Sequence, residues 1–187
     1  MKKEEGSGVI YQIFCLALIG IICLLATFVI RMKTINIVNE NVQDAISMSN
    51  LAAALIDREE YQNTNKIIVK DFQASYLAYE DAFRHNMNLD INWKSERSDY
   101  LKSQIDLLEF SIYQVMGSDI TQIRRMNANG KISYENLEYK GQLGELKTPD
   151  GVVITNTTIY SRVGFLLKGV WTDTYYVRKE GSVDIVD

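Results

Sequence analysis

Residues 9–30 read VIYQIFCLALIGIICLLATFVI, 22 positions with no charge and with Gln12 as the one strongly polar side chain. At ~1.5 Å rise per residue, a helix of that length spans roughly 33 Å, which matches the hydrocarbon core of a bilayer. Apolar side chains cover every face of such a helix instead of a single stripe, unlike the core helix of a soluble domain. A cleavable secretory signal has a shorter apolar region and then a small-residue cleavage motif. Here the run continues into Arg31-Met32-Lys33. Residues 9–31 therefore read as a retained transmembrane helix. Lys2 and Lys3 precede it and Arg31 and Lys33 follow it, so the positive-inside rule gives no orientation.

No Pro or Gly interrupts the chain from Ile21 to Asn63. Ile35, Val38, Val42, Ala45, Ser49, Ala52 and Ile56 recur at steps of three and four, the spacing of an amphipathic helix. The pattern predicts one helix from Val9 to Tyr61, half in lipid and half presenting a stripe to a domain. A bend near residues 33–36, where polar and β-branched residues weaken helix propensity, is the alternative. QNTNK (62–66) reads as a turn. Phe72, Tyr76, Tyr79, Phe83 and Met87 then predict a second helix, capped near Asp71 and ended by Asn86, Asn88 and Asp90.

From Ile105 the period changes. Leu108, Phe110 and Ile112 share one face of a predicted strand, with Tyr113 and Val115 opposite. MGSD and NANGK are turn clusters flanking a short strand over 120–125, and Pro149 in KTPDG takes the second position of a tight turn. Residues 152–169 and 170–186, rich in Val, Ile, Thr and Tyr, predict two strands joined around Lys168 and Gly169. Helices come first and strands last. The class is α+β: a long N-terminal helix (transmembrane half plus amphipathic half), a second helix and a C-terminal antiparallel β-sheet. Residues 1–8 form a short leader, 9–31 the transmembrane helix, and 32–187 an α+β domain.

The net charge is −4, and the part beyond Lys33 carries −6, which argues against nucleic acid as a partner. Cys15 and Cys23 both lie in the apolar run, so the domain has neither a disulfide nor a thiolate metal site. His85 is the lone histidine, expected to be solvated at a helix end. The carboxylate runs DREE (57–60) and VDIVD (183–187) lack calcium-loop spacing. No catalytic residue, metal site or cofactor is expected. With 11 Tyr, 6 Phe and 2 Trp, the aromatics exceed what chemistry needs. Most are expected in the core, and Trp171, Tyr175 and Tyr176 form a conceivable binding platform.

Gly20, Cys23 and Thr27 make a strip of small residues that lets a second helix approach closely, although such strips also arise by coincidence. A charged leader, Gly6-Ser7, an apolar half-helix and an amphipathic continuation resemble type IV pilin-like proteins. Within that group they resemble the TadE-like pseudopilins of tight-adherence pili. The resemblance implies cleavage after Gly6 by a prepilin-type peptidase, leaving Ser7 as the new N-terminus. It also implies residues 1–6 in the cytoplasm and the domain outside the cell membrane. The implied partners are the lipid bilayer, other pilin-like subunits and the assembly machinery of a surface pilus or secretion-type filament. Such subunits commonly carry Glu at the fifth mature position, where it pairs with a neighbour's amine. Here that position is Tyr11, followed by Gln12, which hydrogen-bond an amine less strongly than a carboxylate does. The missing charge favours a minor, priming or assembly role. The competing readings are a bitopic protein with an extracytoplasmic ligand-binding or sensory domain, and a membrane-tethered enzyme, which would need a carboxylate pair.

Overall fold

The computed structural model describes residues 5–95, 100–101, 103–128, 131–170 and 173–186. Its first element, α1 (Glu5–Ala52), is a single helix of 48 residues. Helical backbone runs without a break through residues 31–39, so the bend near 33–36 does not occur. The helix stops at Ala52, well before Tyr61, and neither Gly nor Pro stops it. After Ala53 the amides of Ala54 and Leu55 bond to Leu51 and Ala53 carbonyls instead of one turn back. Ile56 then bridges Val69, and the Asp57 amide bonds to the Ile68 carbonyl at 2.9 Å. Asp57 next caps α2 (Arg58–Thr64), accepting from the Glu59 and Glu60 amides. The predicted turn at 62–66 is thus mostly helix, and only Asn65, with φ 56°, turns.

The buried face of α1 is Val42, Ala45, Ile46, Ser49, Asn50 and Ala53, with Ile35 and Val38 half-buried. Ala52 and Ile56 are exposed, contrary to the heptad pattern. At ~100° per residue, Ala53 lies five full turns from Ile35 and Ala52 falls about 100° away. A straight helix follows 3.6, so the stripe drifts off the 3.5-residue repeat.

The second long helix, α3 (Phe72–Met87), is bounded as expected. Asp71 accepts from the Ala74 amide, and Asn88 in the left-handed region closes the C-terminus. Its buried side chains Tyr76, Tyr79 and Phe83 face a five-stranded sheet of order β3-β2-β1-β4-β5, every neighbouring pair antiparallel. The strands are β1 (Asp106–Met116), β2 (Asp119–Ala128), β3 (Lys131–Gln142), β4 (Thr158–Lys168) and β5 (Thr174–Asp184). Strand β3 has no counterpart in the sequence analysis. It is an edge strand with Ile132 and Tyr134 both more than half exposed, so its alternation carries no burial signal.

Phe110 on β1 is the hub of the core, with ring centroids 5.5 Å from Phe72, 5.8 Å from Tyr76 and 5.2 Å from Tyr79. Ile112 shares its face, but Leu108 does not. The β1–β4 register shifts between Leu107 and Glu109, and the extra residue moves Leu108 to the other side of the sheet. That outer side holds a second cluster of Tyr113, Ile120, Ile154 and Tyr160. Residues 143–157 fold over it, including the expected turn, where the Gly151 amide bonds to the Thr148 carbonyl.

Against β5, α1 makes two backbone-directed bonds: Gln43 Nε2 donates to the Glu180 carbonyl at 3.0 Å and Asn50 Nδ2 to the Gly181 carbonyl at 2.9 Å. A Cβ at Gly181 would stand 3.1 Å from Ile46 Cγ2, so glycine there admits the close approach. One sheet edge is thereby covered by the helix that carries the apolar run. Phe110→Ala removes the ring common to three aromatic contacts and should cost about 3–5 kcal/mol. Denaturant unfolding of the full chain in detergent micelles, followed by near-ultraviolet circular dichroism, measures it.

Candidate functional site

Every residue from Gly8 to Ile30 is exposed, and the first half-buried residue is Arg31. The boundary between the free and the packed halves of α1 thus coincides with the end of the apolar run. Apolar surface on this scale needs lipid or other helices around it. The chain has one helix long and apolar enough to cross a membrane among the described residues, which makes it a candidate single-pass membrane protein.

Gly6 and Ser7 lie in the first turns of α1. Gly20, Cys23 and Thr27 fall within an arc of about 60° on the helix surface. Apart from the helix's own adjoining backbone, no described residue comes within 4 Å of a Cβ built at Gly20. The Thr27 hydroxyl donates to the Cys23 carbonyl, so it is not an unpaired donor facing lipid. Gln12 lies close to this strip, whereas Tyr11 points to the opposite side of the helix, by the same ~100° rotation per residue. Of the expected packing set, Gln12, Gly20, Cys23 and Thr27 thus share one side of the helix and Tyr11 lies on another.

At the foot of the domain, Arg31 Nη1 donates to the Val170 carbonyl at the turn joining β4 to β5. Leu24, Thr27, Phe28, Arg31 and Val170 together line a cavity of about 220 Å³. Of the conceivable aromatic platform, Trp171 lies outside the described residues. Tyr175 and Tyr176 are exposed but adjacent on one strand, so they point to opposite faces. The Tyr176 ring covers Gly164, where any Cβ would collide with it, and Tyr175 hydrogen-bonds Asp173. They form no common surface.

The domain's charges form a cross-strand row that sequence reading missed. Glu109, Arg162 and Glu180 are register partners on β1, β4 and β5. Arg162 Nε lies 2.7 Å from Glu180 Oε2, and its Nη1 3.9 Å from Glu109 Oε2. Tyr160 donates to Glu180 Oε2 at 2.6 Å. Burial, with Glu180 beside it, raises the Tyr160 phenol well above its ordinary value, so it stays a donor. Burial alone would raise the Glu180 carboxyl, but the bonds from Tyr160 and Arg162 outweigh it and hold the group below the usual range. Alternating charge across three strands locks their register. The signal available in the sequence was only the spacing of isolated charges, and it names no partner.

On the helix-facing side, Arg125 is 7 % exposed, with its guanidinium 4.8 Å from the Tyr76 ring centroid. Its Nε and Nη1 have no hydrogen-bond partner, and it lines a small cavity with Glu80, Trp93, Asp106 and Asn127. His85 is exposed in the last turn of α3. In DREE, Asp57 is a helix cap and pairs with Lys70 at 3.2 Å. In VDIVD, Asp184 accepts from Thr158 at 2.7 Å, and Asp187 lies outside the described residues. No family model, curated protein or solved structure significantly matches the chain.

Because Glu180 titrates lower folded than unfolded, its pairing supports the fold above the ordinary value of 4.5 and is lost as pH falls through the folded value. Glu180→Gln should flatten the acid limb of the stability curve below pH 4.5 relative to the parent. Urea midpoints measured across pH 3–6, a window set about that value, read the difference.

Proposed function

We propose that this chain is a membrane-anchored, pilin-like subunit that acts by helix–helix packing in the assembly of a surface pilus or secretion-type filament, in a minor or priming role. The observation that carries this reading is α1 itself. Its first half touches almost nothing in its own chain, and its second half is built into the core and the β5 edge. The span and the domain are one rigid rod, so a force on the domain acts on the span. Once out of lipid, the apolar half must be buried again, and bundling with like helices is the available route. The uncharged Tyr11 and Gln12 weaken the pairing that would hold an abundant fibre subunit, which favours the minor role.

Two experiments test it. Co-expressed with a prepilin-type peptidase, the membrane-extracted chain should lose residues 1–6 and begin at Ser7 by intact-mass and N-terminal analysis. An intact leader under those conditions defeats the reading. In a Cys15→Ala background, mild oxidation of membranes should link Cys23 of two copies, and Gly20→Leu should lower the linked fraction by roughly threefold or more, as loss of one close helix contact does. Since nothing in the chain surrounds Gly20, the larger side chain leaves the monomer intact.

A second reading, a bitopic protein with an extracytoplasmic ligand-binding domain, draws on the buried, unpartnered Arg125 nitrogens. It expects neither processing nor Cys23 linkage.

A further inference from the structure

The β4–β5 turn is placed where a soluble loop has no reason to be. Val170 lines one cavity with Leu24, Thr27 and Phe28, which belong to the last turns of the apolar run. Its carbonyl is held by Arg31, the residue at which that run ends. A hydrocarbon core of ~30 Å takes about 20 residues of helix, so residues 9–30 leave almost no surplus length to lift Arg31 clear of the bilayer. The headgroup layer adds only about 5–8 Å on each side. A group bonded to Arg31 and lining one cavity with Leu24 and Phe28 therefore sits inside that layer and not above it.

The chemistry around the turn suits that depth. Arg31 and Lys33 follow the apolar run and Lys168 ends β4, and long basic side chains of this kind keep their heads at the interface. Tyr175, exposed and with its hydroxyl bonded to Asp173, is an amphipathic ring of the kind that collects at the boundary. The turn closes tightly by the Gly169 amide bonding to the Asp173 carbonyl at 2.7 Å. The cavity is lined by Leu24, Thr27 and Phe28 of the run, by Arg31 and by Val170, so the Arg31 guanidinium, bonded to a backbone acceptor, lies beside apolar side chains at the edge of the acyl region.

We infer that the end of β4, from Lys168 to Val170, is a second membrane contact of the domain, seated in the headgroup layer beside the span, with lipid as its occupant. The inference rests on reading residues 9–30 as a membrane span. It makes the domain two-footed on the bilayer and fixes its rotation about α1, because both sheet and helix then meet the surface.

Site-directed spin labelling of the full chain in phosphatidylcholine–phosphatidylglycerol vesicles tests it, with Cys15→Ala and Cys23→Ala removing the native thiols. Labels go at V170C and, as a second reporter, K168C; references are I30C at the end of the run, L18C within it, and Q62C in α2. Relative accessibility to oxygen and to a water-soluble nickel chelate gives depth. The expected result puts the turn labels within one helical pitch, about 5.4 Å, of the Ile30 label. Turn labels as open to the chelate as Gln62, with Leu18 deep in lipid, overturn the inference and leave the span reading standing. Turn labels shielded from both quenchers also overturn it, since that is the signature of packing on another protein chain. An aqueous Leu18 label overturns the inference together with the span reading on which it rests.

Discussion

The close packing of α1 on β5 is the contact through which the two halves of this molecule become one object. Gln43 and Asn50 reach over the edge strand to its carbonyls, and Ile46 fits where Gly181 has no side chain. An edge strand left bare presents unpaired backbone groups, and here the helix covers one of the sheet's two edges. The same helix, from Ile30 back towards its start, has to satisfy a different medium. Without this contact the apolar run would be a tether. With it, the run is the continuation of a helix that is built into the core.

The sheet is arranged around that demand. Its helix-facing side is made shallow under α1, with Ser161 and Gly181 opposed in register, and deep under α3, where Phe110 receives three aromatic rings. The outer side is treated in two ways. One part is covered by the segment that carries Leu146 and Ile154. The other bears the Glu109–Arg162–Glu180 row and Tyr176 lying over Gly164. A glycine in mid-strand weakens a sheet unless a neighbouring ring fills its place, and Tyr176 does so. The row and the ring hold β4 to β5 up to the turn that meets Arg31, so the turn's position is set by the sheet and not by the loop.

Much of this was legible in the sequence. Composition alone marks residues 9–30, and the caps Asp71 and Asn88 mark α3, because both signals are local. Three features were not. The end of α1 at Ala52 depends on Ile56 pairing with Val69, a contact no local rule encodes. The flip of Leu108 depends on one inserted residue, to which a period-two reading is blind. Strand β3 escapes because its side chains from Lys131 to Tyr134 are exposed on both faces. In the candidate site, the small strip was found from spacing, but the separation of Tyr11 from that strip needed the helix angle. The seating of Val170 against Phe28 joins residues 142 positions apart, and sequence separation hides it entirely.

The uncharged positions near the start of α1 bear on what such a rod can do. An ionised carboxylate within the bilayer is costly unless a partner's cation meets it, so a chain that has one is driven towards a neighbour. Tyr11 and Gln12 impose less of that penalty on a lone span and offer a correspondingly weaker bond to an incoming amine. A helix of this kind rests in the membrane as a single copy more comfortably than a charged one, and its association depends more on the shape of the Gly20–Cys23–Thr27 side than on charge. Shape-driven contacts between helices in lipid are individually small. On the proposed subunit reading, lipid retains the chain until its domain is engaged, and the helix-covered β5 edge is the handle for that engagement.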